Sequence, residues 1–228
     1  MTDVEPRSAA AEAYRTLRTN IRFAGLDNPC RTIVVTSATP GEGKTTTVAN
    51  YSVVAAQAGA RVCVIDSDLR RPALHKLFDL TNTSGLTNML LQGGTLSSVS
   101  QATRIPNLSI VSSGPVPPNP AELVASHRMH ECLESGVKEF DIVLLDSPPV
   151  SSVSDALALS AQCDGVILVV RSGRVAHSLV RRTAEQIEAV KGRILGVVLN
   201  SADLKRDGYY YDYYHHYYSY YASSNAKP

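Results

Sequence analysis

A chain of 228 residues, 44% of them hydrophobic, has the length of one domain and enough apolar material for one sizeable core. Twenty-two Lys and Arg against 21 Asp and Glu leave a net charge of +1, with no push toward nucleic acid or an anionic membrane. Four scattered cysteines without a C-x-x-C pair, and apolar runs far short of the ~20 residues a spanning helix needs, exclude a disulfide scaffold, a zinc ribbon and a membrane span. Met1–Pro6 is followed by no apolar stretch, so no secretory leader is expected and the chain reads as soluble and cytoplasmic.

Along the chain, Ala9–Ala24 reads as a polar helix carrying Tyr14, Leu17 and Ile21. Six Val- and Ile-rich runs follow: Thr32–Ser37, Val62–Ile65, Leu108–Val111, Ile142–Leu145, Val166–Val170 and Leu195–Leu199. They show little alternation, as parallel strands buried on both faces do. Helical patterns at Thr45–Ala58, Ala121–Lys138, Ser154–Ala161 and Ser178–Val190 separate them. This rhythm predicts an α/β fold, a doubly wound, mostly parallel sheet flanked by helices with right-handed crossovers. The proline-rich Ser112–Pro120 should be an extended loop, with Asn119 as cap and Pro120 as first residue of the next helix. Residues 1–206 form the predicted P-loop domain. At Asp207 the composition changes, and residues 207–228 are a tail without aliphatic periodicity, expected to be flexible until bound. Nine of the eleven tyrosines lie there: Tyr209, Tyr210, Tyr211, Tyr213, Tyr214, Tyr217, Tyr218, Tyr220 and Tyr221.

The chemistry-bearing residues fall at strand ends, where ligands of such folds bind. The first strand leads into Ala38-Thr39-Pro40-Gly41-Glu42-Gly43-Lys44-Thr45-Thr46, close to G-x-x-x-x-G-K-[ST] with Ala38 in place of the first glycine. Gly41 and Gly43 let the backbone aim N–H groups at phosphates, Lys44 reaches the β- and γ-phosphates, and the Thr45 hydroxyl suits Mg²⁺. Pro40 through Thr46 are thus the candidate nucleotide cradle, and ATP with Mg²⁺ the expected cofactors. The second strand ends in Asp66-Ser67-Asp68-Leu69-Arg70, and the fourth run delivers Asp146 before Ser147-Pro148-Pro149. A lone aspartate after a strand is ordinarily a turn former; beside a phosphate cradle, Asp146 takes the position that holds Mg²⁺. Arg70 reads equally as an assisting cation and as a solvated loop residue.

These features together resemble the bacterial tyrosine autokinases of capsule and exopolysaccharide pathways, the BY-kinases. The likeness rests on Pro40–Thr46, Asp66–Arg70, Asp146–Pro149 and the terminal tyrosines, supported by Glu12-Ala13-Tyr14-Arg15-Thr16-Leu17-Arg18 and Gly114–Pro120. It covers almost the whole chain. It implies a kinase that uses ATP and Mg²⁺ to phosphorylate the tail tyrosines of a neighbouring subunit and so regulates polysaccharide synthesis and export. It further implies a homo-oligomer, a ring, contacted through Glu12, Arg15 and Arg18; a solvated helix with one weak ion pair is the alternative for those three. A separate membrane adaptor of the chain-length family would activate the kinase and recruit it to the inner membrane face. Other protein substrates fit the same reading, and nucleic acid does not. Asp66 is the expected base for the tyrosine hydroxyl, whose ordinary pKa is near ~10. Asp68 and Asp146 are the expected metal partners with Thr45, although spacing leaves the division between Asp66 and Asp68 open. Asn200, ending the last strand, is either an adenine contact or a turn former.

The rival reading is an ATPase switch of the ParA/MinD kind. It would carry a lysine five positions before Lys44, where this chain has Thr39, and would not need a tyrosine tail.

Overall fold

The computed structural model describes residues 8–26 and 28–202. The tail and its nine tyrosines lie outside the described residues.

Seven strands form one sheet in the order β3-β4-β2-β5-β1-β6-β7. They are β1 (Thr32–Ser37), β2 (Val62–Asp66), β3 (Gln101–Ala102), β4 (Leu108–Val111), β5 (Ile142–Asp146), β6 (Gly165–Arg171) and β7 (Ile194–Asn200). All neighbouring pairs are parallel except the short edge pair of β3 with β4.

The lack of alternation in the apolar runs has its reason in the packing. Ile33, Val35, Val62, Val64, Leu144, Ile167 and Val169 face one core, with α1 (Ala9–Ala24) and α2 (Lys44–Gln57). Val34, Cys63, Ile65, Val143, Leu145, Val166, Leu168 and Val170 face the other, with α4 (Leu86–Gln92), α7 (His127–Glu139), α8 (Asp155–Ser160) and α9 (His177–Ala189). Every position of β1 and β2 is therefore buried, as are all but one each of β5 and β6, and each Val, Leu or Ile so placed contributes about 1.5–3 kcal/mol.

The six expected strands are present, each within a residue or two of its predicted bounds. The predicted helix over Ala121–Lys138 is instead two, α6 (Pro120–Val124) and α7. Ser126 intervenes as the cap of α7, its hydroxyl accepting from Met129 N–H at 3.3 Å. Asn119 stands at the cap of α6, but its side chain donates to Glu122 rather than accepting from the helix. The short α3 (Leu74–Phe78), α4, α5 (Leu96–Val99) and β3 had no prediction; elements of two to seven residues show no usable period.

Two β1 neighbours lead the chain in opposite directions, since β5 lies on one side and β6 on the other. That switch point opens a crevice at the carboxyl edge of the sheet, where β1 runs into the glycine-rich turn.

Candidate active site

The turn after β1 holds its shape through backbone that only glycine adopts readily. Gly41 has φ +80° and Gly43 φ +98°, and Gly43 caps α2 in the left-handed region. No acidic side chain occupies the first turn of α2, so its leading N–H groups and positive dipole end face the crevice. Lys44, first residue of α2, is mostly buried, with Thr45 and Thr46 following it.

Glu42 is nearly fully buried, and its carboxylate faces the protein. It accepts hydrogen bonds from Thr39 N–H, from the Thr39 hydroxyl at 3.0 Å and from Arg171 N–H at 3.1 Å. Asn200 donates from Nδ2 to the Glu42 carbonyl at 2.8 Å, while Ser172 N–H holds the Asn200 carbonyl at 2.9 Å. The ends of β6 and β7 are thereby fastened to the cradle. Sequence reasoning missed Arg171; its one signal was its place at the end of an apolar run.

The carboxylates come together by register. Asp66 and Asp146 are direct partners on adjacent parallel strands. Burial pushes the Asp66 carboxyl up to about 7, against the amides of Leu74 and Ala73, which donate to its Oδ2 at 3.0 and 2.9 Å. Burial pushes Asp146 up to about 8, reinforced by the charge of Asp66 and opposed by the Thr45 hydroxyl and Lys44. The Oδ1 atoms of both aspartates are buried without a partner, an arrangement that costs energy unless a cation or donor completes it. Asp68 is partly exposed and accepts from Arg71 N–H at 3.0 Å.

Hard oxygen donors beside a phosphate cradle fit Mg²⁺. Among the described residues, no three His, Cys, Asp or Glu side chains form a cage by themselves. Mg²⁺ does not require one, since it keeps waters and takes one or two carboxylates together with nucleotide phosphates.

The segment after Asp146 lies along β1. The Ser147 hydroxyl donates to the Val35 carbonyl at 3.0 Å, the Thr36 hydroxyl to the Pro148 carbonyl at 2.9 Å, and Val150 N–H to the Ser37 carbonyl at 2.9 Å. On the other flank, Leu86 and Thr87 N–H donate to the carbonyls of Ser112 and Ser113, pinning the proline-rich loop beside Asp66. Arg70 is not a free loop cation, because it pairs with Asp155.

Glu12, Arg15 and Arg18 lie on α1, away from this cluster. Arg15 pairs with Glu12 at 2.9 Å, and Arg18 donates to the Val54 carbonyl of α2 at 3.1 Å. These contacts fasten α1 to itself and to α2.

Comparison with known proteins agrees with this geometry. The ParA family model, described as NUBPL iron-transfer P-loop NTPase, matches residues 29–212. The chain is 42% identical to tyrosine-protein kinase YwqD of Bacillus subtilis, over 90% of this chain and 88% of that protein. Its structure is similar to that of the chimerical protein CapA2B2, with a TM-score of 0.84 and 38% identity, covering 88% of each chain. The MinD protein of Pyrococcus horikoshii complexed with Mg-ADP, 24% identical with a TM-score of 0.64, shares the fold. With its nucleotide cradle intact and its likeness to the kinases nearly end to end, the chain belongs to the ParA group of P-loop NTPases and, within it, to the bacterial tyrosine-protein kinases.

Proposed function

We propose that this chain transfers the γ-phosphoryl group of ATP to tyrosines among Tyr209–Tyr221 in the tail of a neighbouring copy. The observation that carries the reading is the register pair Asp66 and Asp146 beside the phosphate cradle, each with an unpartnered buried oxygen. Lys44 stabilises charge on the moving phosphoryl group, the term expected to be largest in such a transfer. Bound Mg²⁺, held by Asp146, Asp68 and the Thr45 hydroxyl, would neutralise phosphate charge. Asp66 accepts the proton from the acceptor hydroxyl. Its pKa near 7 suits a base operating at neutral pH, and its Oδ1 remains available while Oδ2 is held by two amides. Asn200 fastens the cradle by its Nδ2, and its Oδ1 accepts from Ser201 N–H; contact with adenine would require it to turn.

The attachment of the tail supports the same reading. The described chain leaves β7 at Asn200, on the edge of the cradle. Nine residues on, at about 3.3–3.6 Å each, Tyr209 has a reach of roughly 30 Å. That length alone does not choose between the chain's own site and that of another copy, so a mixing experiment decides the direction. Full-length Lys44→Met protein supplies the tail, and a full-length variant with all nine tail tyrosines changed to Phe supplies the site. Phosphate on the Lys44→Met tail establishes transfer between copies; its absence, with wild-type protein active alone, refutes it.

Partner and location belong to the same proposal. No helix among the described residues is long and apolar enough to cross a membrane, and the similar solved structure CapA2B2 is that of a chimerical protein. A membrane adaptor of polysaccharide chain-length control would bring this chain to the inner membrane face, and accumulating tail phosphates, each adding about −1.5 to −2 charges, would loosen an oligomer built through Glu12, Arg15 and Arg18. Sedimentation before and after phosphatase treatment tests the loosening, and identical masses refute it.

An ATPase switch is disfavoured by one contact. The position where such proteins carry a lysine is Thr39, and its hydroxyl is used internally on Glu42.

A further inference from the structure

Arg70 lies two residues beyond Asp68, and its guanidinium reaches α8. Nε is 3.0 Å from Oδ2 of Asp155 and a second nitrogen 3.2 Å from Oδ1, a bidentate pair across 85 residues of sequence. The Asp155 carboxylate is completely buried, whereas 39% of the Arg70 side chain is open to solvent. A buried carboxylate demands a partner. The partner here belongs to the loop that carries Asp68.

The segments leading to the two ends of the pair are held by separate sets of contacts. Residues 66–74 are held by Asp66 on the amides of Ala73 and Leu74, and by Arg71 N–H on Asp68. Residues 147–151 are laid against β1 and the cradle by Val150 and Ser151 N–H. Strand pairing between β2 and β5 ends where Ser67 N–H donates to the Asp146 carbonyl. Past that point, the Arg70–Asp155 pair ties the loop carrying Asp68 to the helix that follows Asp146. A planar, bidentate arginine fixes direction as well as distance.

We propose that Arg70 is a positioning residue: through its fork on Asp155 it sets Asp68 opposite Asp146, so that both carboxylates meet a nucleotide-bound divalent cation in one arrangement. This rests on the kinase reading above. Because removing the arginine alone strands a buried charge, the informative variant is the uncharged pair Arg70→Met with Asp155→Asn. Arg70→Lys, which keeps the charge and loses the fork, is measured beside it.

The test compares full-length proteins by thermal melting, by affinity for a fluorescent ADP in EDTA and across a Mg²⁺ titration, and by tail phosphorylation. The uncharged pair should melt near the wild-type temperature and bind nucleotide in EDTA within about twofold, since the cradle is untouched. Its Mg²⁺ requirement for tightened binding should rise by about 10- to 100-fold, the loss usual when the group orienting a metal ligand is removed. Its kcat should fall by a similar factor, with Arg70→Lys intermediate. A Mg²⁺ requirement equal to wild type overturns the assignment, as does a parallel loss of melting temperature and EDTA affinity. Wild-type protein that binds Mg-ADP but transfers no phosphate overturns the kinase reading instead, and the binding comparison still judges Arg70.

Discussion

Two buried aspartates at adjacent strand ends should make the nucleotide-free protein less stable as pH rises. Burial lifts Asp66 from 3.8 to about 7 and Asp146 to about 8, and the charge of Asp66 adds to the rise at Asp146. An unfolded chain releases both protons near its ordinary carboxylate pKa of ~4. Between there and pH 8 the folded protein holds protons the unfolded chain has lost, so the stability present below pH ~4 drains away as pH rises through the folded values. At about 1.4 kcal/mol per pH unit, the roughly three units on Asp66 alone correspond to about 4 kcal/mol. The two groups release their protons as a pair, and local relaxation softens the cost, so the net loss between pH 5 and pH 8 should be on the order of 3 kcal/mol. Urea unfolding in EDTA at fixed ionic strength measures it. Asp146→Asn, which removes one charge and its repulsion, should flatten the slope and exceed wild-type stability at pH 8. A wild-type midpoint that holds or rises from pH 5 to pH 8, or a variant with an unchanged slope, would refute the reasoning.

Three further substitutions follow from the same geometry. Gly43→Ala forces a side chain into φ +98° and places its Cβ 2.0 Å from Asn200 Nδ2; it should lower nucleotide affinity by at least tenfold and cost about 1–3 kcal/mol, read by nucleotide titration and melting. Glu42→Ala removes the acceptor shared by Thr39 and Arg171, and denaturation should show a loss of about 1.5–3 kcal/mol, with weaker nucleotide binding. Gly85→Ala would put a Cβ 1.9 Å from the Ser112 carbonyl oxygen; forcing α4 off the proline-rich loop should cost about 1–3 kcal/mol in urea, and an unchanged midpoint would show that the loop yields.

The strands and the cradle were legible because their signals are local. A run such as Val166–Val170, buried on both faces, needs no knowledge of its partners to read as a central strand. The glycines flanking Glu42 announce the turn whose positive φ values the structure bears out. What escaped was long-range. The sequence places Asp66 and Asp146 at strand ends, but only the register of β2 with β5 sets them side by side. Glu42 belongs to the cradle by motif, but that its carboxylate bonds Thr39 and the backbone of Arg171, 129 positions away, has no local signal. Arg70 was undecidable until the partner 85 positions on was visible. The short helices of the segment between β2 and β4 were missed because four to seven residues carry no period, and α3 starts under a carboxylate that belongs to the preceding strand.

The central claim, that the chain is a tyrosine kinase acting on its own tail, is tested most directly by intact mass after incubation with ATP and Mg²⁺. Wild-type protein and a Lys44→Met control would be compared with and without the cytoplasmic segment of the candidate adaptor. The account predicts several phosphate additions in wild type only, mapping to Tyr209–Tyr221. Hydrolysis of ATP without mass gain on any tyrosine, under either condition, would contradict it and leave an ATPase in place of a kinase.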